Sequence, residues 1–291
     1  MNKINKIGWI GTGVMGKSMC KHLISKGYDL SIFSGTASKT AELIDMGAKL
    51  HTPSEIATNC DVVFLMLGYP RDVQEVTLGE KGILRNMKKG SYLIDHTTSS
   101  PNLAIEIYKE AKSLGINSYD APVSGGQAGA QNGALTIMCG SDDEAVFQRA
   151  KTAIAPYSRA CERLGKSGAG QLAKMVNQIC IAGIVQGLAE GVNFAQRAGL
   201  DVDKLVEVIG KGAAASWQMD NRASTMNRGE FEFGFAVEWM RKDLGICLDE
   251  ANRNGARLPM TALVDQFYAQ VVARGGSRWD TSSLVHLLQN D

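Results

Sequence analysis

The sequence has few of the residues from which metal sites and disulfide frameworks are built. Its 291 residues include six cysteines and four histidines. The cysteines are scattered, with no CxxC pair and no histidine cluster. This spacing argues against a structural metal and against a set of disulfides, and it is the usage expected in a reducing cytoplasm. We therefore expect no bound metal and a cytoplasmic location.

An excess of either charge and a long apolar run are also missing. Lysine and arginine number 31 against 30 acidic residues, so the formal net charge is +1 and gives no support for a nucleic-acid partner. No apolar run approaches the ~20 residues that span a bilayer. The opening MNKINKIGWIGTG lacks the apolar core of a signal peptide. We expect a globular protein with no membrane partner.

What is present divides the chain into two parts. In the first part, short β-like runs alternate with helical segments, which is typical of parallel strands covered by helices. The predicted strands are Lys6–Ile10, Asp29–Phe33, Asp61–Leu67, Ser91–Asp95, Asn117–Ala121, Leu135–Cys139 and Ala160–Leu164. The predicted helices are Met15–Lys26, Ala37–Met46, Ser54–Thr58, the 71–88 region, Pro101–Leu114 and one that begins near Asp142.

The strand pattern stops after residue 165. Residues 168–198 read as one long helix whose only interruptions are small residues at Gly183, Gly187 and Gly191. Glycine inside a helix costs ~1 kcal/mol against alanine, so these positions indicate close packing of another helix or chain. We predict one α/β domain at 1–165. At 166–291 we predict the connecting helix and an all-α dimerisation domain, in a homodimer or homotetramer.

A glycine-rich loop follows the first predicted strand and opens a helix. The loop is Gly11, Thr12, Gly13, Val14, Met15 and Gly16, a GxGxxG pattern. In this context the glycines allow a tight turn, close approach of a pyrophosphate and packing of helix on strand. The second strand ends without the carboxylate that would bind the ribose of NAD. It is followed instead by Ser34, Thr36 and Lys39, which favours NADP over NAD.

Two later stretches complete the candidate site. Ser124, Gly125 and Gly126 follow the predicted strand at 117–121, where backbone N–H groups suit an anion such as a carboxylate. Within GQLAKMVNQ, helical spacing places Lys174, Asn177 and Gln178 on one face. Alone, that lysine would be read as a solvated residue. Its place after a dinucleotide loop and an anion-binding loop favours a functional role.

Several of these motifs occur together, in order, along nearly the whole chain, and the chain resembles the β-hydroxyacid dehydrogenase family. The motifs are GWIGTGVMG, FLMLG, IDHTTSSP, DAPVSGGQAGAQNGALTIMCG, GAGQLAKMVNQ and RKDLGICLDEA. The resemblance implies an α/β Rossmann-type dinucleotide-binding domain joined through a long helix to an all-α C-terminal domain. It also implies an NAD(P)-dependent oxidoreductase that acts on a small 3-hydroxyacid or its semialdehyde.

The resemblance also implies roles for individual residues. Lys174 matches the catalytic lysine, which exchanges the substrate's hydroxyl proton, and residues 124–126 match the loop that holds the substrate carboxylate. Lys242 matches a lysine close to the nicotinamide and the substrate. The backbone that lies along the cofactor is matched by Leu65, Met66 and Leu67, and a hydroxyl near the nicotinamide is matched by Thr98. Where many members carry a substrate-binding asparagine, this chain has Gln178 preceded by Asn177, and either amide fits that role.

Alternative interpretations remain for function and for several side chains. Hydroxyisobutyrate, tartronate semialdehyde and succinic semialdehyde all fit the substrate class. A non-catalytic NADP-binding module and an imine reductase share the architecture, but Lys174 favours the dehydrogenase. Other side chains are either pocket residues or ordinary core and surface residues: Trp217, Phe231, Phe235, Trp239, Arg222, Arg241 and His96.

Overall fold

The structure is a computed structural model that describes residues 4–289. The chain divides between Lys174 and Met175 into two compact units. The first unit is an α/β domain of the Rossmann type, and the second is helical. The predicted domain limits at 1–165 and 166–291 stay a prediction.

One sheet forms the centre of the first unit. Its strands are β1 (Lys6–Ile10), β2 (Asp29–Phe33), β3 (Lys49–Leu50), β4 (Val62–Leu65), β5 (Tyr92–Asp95), β6 (Asn117–Asp120), β7 (Val123–Ser124), β8 (Leu135–Gly140) and β9 (Ser158–Gly165). Their order is β3-β2-β1-β4-β5-β6-β8-β7, and β9 also pairs with β8. The strands from β3 to β6 in this order run parallel.

The sheet is not parallel throughout, because β8 runs antiparallel to both β6 and β7. Only residues 125–134 connect β7 to β8. A crossover between parallel strands needs about a dozen residues or more, so this short connection returns the chain in the opposite direction. The pattern of apolar runs predicted the strand at 135–139 but contained no information on its direction.

Helices cover both faces of the sheet. They are α1 (Val14–Ser25), α2 (Ala41–Asp45), α3 (Pro53–Asn59), α4 (Pro70–Leu78), α5 (Pro101–Ser113), α6 (Gly126–Gln131) and α7 (Glu144–Ile154), with short 3-10 helices at Ala37–Lys39, Ile83–Asn86 and Ala155–Tyr157. The predicted helix at 37–46 is a 3-10 turn followed by α2. The predicted 71–88 region ends as an α-helix at Leu78, before Gly79 and Gly82, since glycine is a weak helix former.

Alternating strand residues build a core on each face. In β1, Trp9 packs with Phe64 and Leu23 on one side, whereas Ile10 packs with Leu65 on the other. These side chains are at most 1% exposed. The central strands are therefore fixed by packing on both faces, which makes their carboxyl ends a rigid platform.

The predicted long helix is present as α8, Ala169–Arg197. By length and a mean hydropathy of 1.3 it is capable of spanning a membrane, but core helices pass the same test, so this is weak evidence. Among the described residues, none has an atom within 4 Å of a Cβ built at Gly183, Gly187 or Gly191. The close packing expected at these glycines is thus not supplied by residues 4–289 of the same chain.

The second unit continues with the helices α9 (Val202–Ile209), α10 (Trp217–Arg228), α11 (Val237–Asn254), α12 (Pro259–Ala273) and α13 (His286–Gln289), and a 3-10 helix at Thr281–Val285. Its core contains Val185, Met240 and Tyr268, all fully buried. Buried Asp280 connects the loop before α11 to the 3-10 helix at Thr281–Val285, because its carboxylate accepts hydrogen bonds from the N–H groups of Phe235 and Ser282.

Candidate active site

The carboxyl ends of five parallel strands lie side by side in one row. Ile10 pairs in register with Phe33 on one side and with Leu65 on the other. Leu65 pairs with Asp95, which in turn pairs with Asp120. In open α/β sheets ligands bind outside these strand ends. The predicted site residues of the first unit up to position 126 lie at the end of one of these strands or in the segment that follows it.

The glycine loop lies at the end of β1 and has the backbone shape that a pyrophosphate requires. Gly11 has a φ of +103°, and a Cβ there would lie 2.2 Å from the Met66 carbonyl oxygen. A Cβ at Gly16 would lie 2.1 Å from the Gly11 carbonyl oxygen, whereas Gly13 faces open space. The N-cap residue of α1 is Gly13, which has no side chain to bond the first N–H groups of the helix. Backbone N–H groups of the loop and of the N-terminus of α1 are therefore accessible to an anion.

Two neighbouring side chains support the fit of a dinucleotide to this loop. The indole N–H of Trp9 donates a 3.0 Å hydrogen bond to the Gly11 carbonyl oxygen, which fixes the start of the turn. Thr12 is 1% exposed, and within residues 4–289 its hydroxyl oxygen has no hydrogen-bond partner. Buried polar groups are normally satisfied, so a polar ligand on the loop would supply the missing partner.

The residues predicted to contact the adenosine end of the cofactor follow β2. Ser34 is half-buried, Thr36 and Lys39 are exposed, and the Thr36 N–H donates to the Ser34 hydroxyl at 3.4 Å. Positions 34–39 read Ser-Gly-Thr-Ala-Ser-Lys, without a carboxylate. This strand end presents hydroxyls and one lysine, a set that accepts a phosphate without charge repulsion.

The segment 65–67 continues from β4 and is linked to the next strand end. The Met66 N–H bonds to the Ile10 carbonyl oxygen at 3.0 Å. The Leu67 N–H donates to the Thr97 hydroxyl at 2.9 Å, and the Thr97 N–H donates to Asp95 at 2.9 Å. The motifs indicated Thr98, which is half-buried, but not Thr97, which is buried. Thr97 lies beside residue 67 only because the strands that precede them pair in the sheet.

The second glycine cluster follows β6. Ser124 ends β7 and pairs with Thr136 of β8. Gly125 and Gly126 have φ values of +127° and +61°, in the left-handed region that disfavours other residues. Apart from its chain neighbours and its own helix backbone, no atom of residues 4–289 lies within 4 Å of a Cβ built at Gly126. The loop is thus open, and glycine is needed for its backbone conformation.

Lys174 lies in the second turn of α8 and is only 7% exposed. The helix start is held by Asp120, at the carboxyl end of β6. The carboxylate of Asp120 accepts the Gly168 N–H at 2.7 Å and the Gln171 N–H at 2.9 Å. Burial raises the pKa of Asp120 to about 6, and the hydrogen bonds from Gly168 and Gln171 limit the rise. No local sequence pattern indicated this capping role, because 48 residues separate Asp120 from Gly168.

His96 is a structural residue. It is fully buried, and its Nδ1–H donates to the Ala121 carbonyl oxygen at 2.6 Å. Its Nε2 lies 2.8 Å from the Tyr157 hydroxyl, which therefore donates to it. Burial lowers the pKa of His96 to about 4, so the ring is neutral at physiological pH. Both nitrogens are occupied within the core, as expected of an ordinary core histidine rather than a catalytic one.

In the second unit, Gln178 belongs to a buried polar cluster. Its Nε2–H donates to the Asp243 carboxylate at 2.6 Å, and its Oε1 accepts from the Asn177 amide at 2.8 Å. The Lys242 ammonium lies 3.1 Å from the other Asp243 oxygen. Gln178 and Asp243 are each 2% exposed, whereas Asn177 is half-buried. The Asp243 carboxylate thus brings together Gln178 and Lys242, both predicted from the motifs, and Asn177 joins the cluster through Gln178.

The arginines and aromatic residues named as alternatives have structural partners. Arg222 pairs with Asp280 at 3.1 Å and stacks on Trp217. Arg241 pairs with Asp265, also at 3.1 Å. Both arginines therefore form ion pairs within the helical unit, as expected of structural residues rather than of residues that bind an anionic ligand.

Comparison with known proteins gives matches along nearly the whole chain. A family model described as the NAD binding domain of 6-phosphogluconate dehydrogenase matches residues 6–165. A second, described as NAD-binding of NADP-dependent 3-hydroxyisobutyrate dehydrogenase, matches residues 168–288. An uncharacterized oxidoreductase of Shewanella frigidimarina is 54% identical over 98% of both chains.

Two further relatives carry more specific descriptions. A probable mitochondrial 3-hydroxyisobutyrate dehydrogenase-like protein of Arabidopsis thaliana is 46% identical over 98% of this chain and 85% of its own. The solved 3-hydroxyisobutyrate dehydrogenase of Mycobacterium tuberculosis, in a structure with L-serine, has a TM-score of 0.89. It is 27% identical, over 99% of this chain and 100% of that one.

Proposed function

The chain belongs to the β-hydroxyacid dehydrogenase family of NAD(P)-dependent oxidoreductases, and we propose that it interconverts a small 3-hydroxyacid and its semialdehyde with Lys174 as the proton relay. The observation that carries the proposal is a buried lysine on a helix whose first turn is anchored at the strand ends that form the cofactor-binding edge. A bound nicotinamide supplies the acceptor or donor of the hydride.

Lys174 handles the proton in this scheme. When the alcohol is oxidised, the neutral Nζ atom accepts the hydroxyl proton while a hydride leaves the carbon that bears this hydroxyl. When the semialdehyde is reduced, the ammonium donates a hydrogen bond to the carbonyl oxygen and then the proton, which stabilises the negative charge that develops there. Because Lys174 is 7% exposed, few water molecules compete for this proton.

The substrate is oriented through its carboxylate. We assign the carboxylate to the backbone N–H groups and the hydroxyl of the Ser124–Gly126 loop, where the positive φ angles leave the backbone accessible. Gln178 is our choice for the additional amide, because it is buried one helical turn after Lys174, whereas Asn177 is only half-buried. Lys242 and Asp243 would set the orientation of that amide through the cluster they share with it.

The carboxylate and the third-carbon alcohol define the substrate class. The M. tuberculosis relative was solved with L-serine, which is itself a 3-hydroxyacid. A panel of 3-hydroxyisobutyrate, glycerate, 4-hydroxybutyrate and the matching semialdehydes, each assayed with both nicotinamide cofactors, tests the proposal. We expect turnover with at least one 3-hydroxyacid pair and none with the corresponding methyl esters. Turnover of esters and acids at equal efficiency would refute carboxylate recognition.

NADP is the proposed cofactor. Hydroxyls at Ser34 and Thr36 and the ammonium of Lys39 follow β2, and no carboxylate is present there to repel a 2′-phosphate. Exposed groups of this kind contribute modestly, so we expect Lys39→Ala to raise the KM for NADPH by about threefold to tenfold. The KM for NADH should not change. A higher kcat/KM with NADH than with NADPH in the wild type would overturn the assignment.

A homodimer or homotetramer is the proposed assembly. The glycines of α8 at 183, 187 and 191 face open space in this chain, and nearby Ile184 and Phe194 are 42% and 72% exposed. Large exposed apolar side chains beside small ones are typical of a surface that another helix covers. Light scattering should give a mass of at least twice 31.3 kDa. A monomer at micromolar concentration would contradict this.

The reducing cytoplasm is the proposed location. Within residues 4–289 the six cysteines form no disulfide with one another, and five of them are buried. Labelling with a thiol reagent after denaturation, without reductant, should modify all six when the protein is purified from the cytosolic fraction. Recovery of disulfide-linked peptides would argue for an oxidising compartment.

A further inference from the structure

We propose that Asp120 and Gln171 are positioning residues that hold Lys174 in register with the cofactor-binding edge of the sheet. They act by joining the first turn of α8 to the ends of β5 and β6. The inference rests on the proposed role of Lys174 as proton relay. Every contact that carries it lies within the first unit of the chain.

Asp120 determines where α8 begins. Its two carboxylate oxygens accept the N–H groups of Gly168 and Gln171, so both oxygens are used by the same helix end. A carboxylate is favoured there by the free N–H groups and by the helix dipole. At 4% exposure, the carboxylate has almost no water to replace either partner.

The space around Asp120 fixes its position tightly. A Cβ added at Gly140, on neighbouring β8, would lie 2.3 Å from Asp120 Oδ1. A Cβ added at Gly170 would lie 2.6 Å from the Asp120 carbonyl oxygen and 2.5 Å from that of Met138. Only glycine allows the helix start and the two strands to approach so closely. The carboxylate therefore has little freedom to follow the helix if the helix shifts.

Gln171 makes the second connection, from the helix to the segment after β5. Its Nε2–H donates to the Thr97 carbonyl oxygen at 2.8 Å, and its Oε1 accepts the Ser99 N–H at 2.9 Å. The amide thus bonds to the residues on both sides of Thr98, which the family resemblance places near the nicotinamide of the cofactor. Gln171, Thr97 and Ser99 are each at most 1% exposed.

The same segment is tied onward to the backbone predicted to lie along the cofactor. The Thr97 hydroxyl accepts the Leu67 N–H at 2.9 Å, and the Thr97 N–H donates to Asp95 at 2.9 Å. A continuous set of short hydrogen bonds therefore leads from residue 67 through Thr97 to Gln171. Lys174 follows Gln171 by three residues, so it lies on the same side of the helix less than one turn further on.

This arrangement constrains the distance between the proton relay and the hydride-transferring end of the cofactor. Proton transfer requires heavy atoms within about 3 Å, and a shift of about 1 Å can cost ~10²-fold in rate. If the amide of Gln171 is removed, the first turn of α8 keeps its cap but loses its attachment to residues 97–99. We expect loss of turnover without comparable loss of cofactor binding.

The test compares Gln171→Met with Gln186→Met. The two glutamines lie on the same helix and are both buried, but Gln186 donates to Glu190 one turn further on rather than to the sheet. At a temperature well below both unfolding midpoints, Gln171→Met should lower kcat by about 30-fold and change the Kd for NADPH less than threefold. Gln186→Met should keep kcat within twofold.

A double-mutant cycle separates positioning from a general loss of structure. In the Lys174→Met background, adding Gln171→Met should change the residual rate less than threefold, because there is no relay left to position. An undiminished 30-fold loss in that background, or a wild-type kcat for folded Gln171→Met, would overturn the proposal. If Gln171→Met does not fold, kcat is measured instead for Asp120→Asn, both with Lys174 present and in the Lys174→Met background. The same outcomes then support or overturn the proposal.

The turnover of Lys174→Met alone distinguishes a failure of the proposed function from a failure of the positioning role. Near-wild-type turnover of Lys174→Met would refute the proposed function, in which Lys174 is the proton relay. An inactive Lys174→Met beside a fully active Gln171→Met would leave the proposed function in place and remove only the positioning role.

Discussion

Two buried polar clusters, one in each unit, use the same pair of residue types in different ways. In the first unit, Asp120 and Gln171 bond to backbone groups of α8 and of the segment after β5. In the second, Gln178 and Asp243 bond to each other and to the side chains of Asn177 and Lys242. Both pairs are almost fully buried.

The difference in partners has a mechanical consequence. Asp120 and Gln171 each hold two backbone groups at once, so rotation of either side chain breaks two hydrogen bonds together. In the second cluster both partners of a bond are side chains, and either can rotate about its χ angles to exchange one partner. The first cluster is therefore suited to hold a position. The second is suited to exchange one partner for a ligand. The predictions below separate these two behaviours.

The largest expected effect comes from the residue that the backbone-anchored cluster holds. Lys174→Met should lower kcat by about 10³-fold, since proton transfer by a positioned side chain contributes 10² to 10⁴. The Kd for NADPH, measured by fluorescence, should stay within threefold. Lys166→Met, at an exposed lysine just before the same helix, is the control and should retain wild-type turnover.

The exchangeable cluster should respond in substrate affinity. Gln178→Met is expected to raise the KM for the substrate by about 10-fold or more, because it removes an amide that can turn from Asp243 to the carboxylate. Asn177→Ala should raise it less than threefold. If Asn177→Ala had the larger effect, the two carboxamides would exchange roles.

Acid should affect the backbone-anchored cluster in a defined direction. Burial raises the pKa of Asp120 to about 6, above its value in the unfolded chain. This group therefore contributes stability at low pH that is lost as the pH rises through about 6. Urea unfolding at pH 7 and pH 5 should show wild type gaining about 1 kcal/mol relative to Asp120→Asn at the lower pH.

His96 gives a contrast within the same measurement. Its pKa is lowered to about 4 by burial, so its contribution is present at neutral pH and is lost as the pH falls below its unfolded value toward 4. Both proteins in the Asp120 comparison retain His96, so its contribution cancels in the difference. A difference that stayed constant between pH 7 and pH 5 would show that Asp120 does not titrate in this range.

The smallest expected effect concerns a second backbone-anchored contact. Trp9→Phe removes the indole hydrogen bond to the Gly11 carbonyl oxygen but keeps the ring against Phe64. We expect about a threefold to tenfold rise in the Kd for NADPH. The lost hydrogen bond and the cavity left by the smaller ring together should cost about 2 to 3 kcal/mol of stability. Tyr157→Phe, which loses a buried bond to His96, should lower stability without changing the Kd.

The elements that follow local sequence patterns were predicted well. Strands β1 and β2 have the predicted limits, and α8 differs from its prediction by one residue at each end. The glycine loop has the expected backbone, since a tight turn and helix packing restrict residues 11–16 to that pattern. These features depend on apolar periodicity and on glycine, which a single sequence displays directly.

The features that failed or were missed depend on distant pairing. The direction of β8 follows from the short connection at 125–134, and the two-residue strand β3 has no period of its own. Asp120 and Thr97 were missed because their partners, Gly168 and Leu67, lie 48 and 30 residues away. Both residues end or follow a buried strand, so polar residues at strand ends would have been the signal to follow.

Chemical rescue tests the central claim, that Lys174 relays the proton, most directly. Lys174→Ala leaves a space in which a small primary amine can take over the role, so turnover of the 3-hydroxyacid should be slow in buffer and rise with added ethylamine. The rise should follow the concentration of the neutral amine in the oxidation direction. Wild-type turnover by Lys174→Ala without amine, or equal stimulation of Lys166→Ala by ethylamine, would contradict the account.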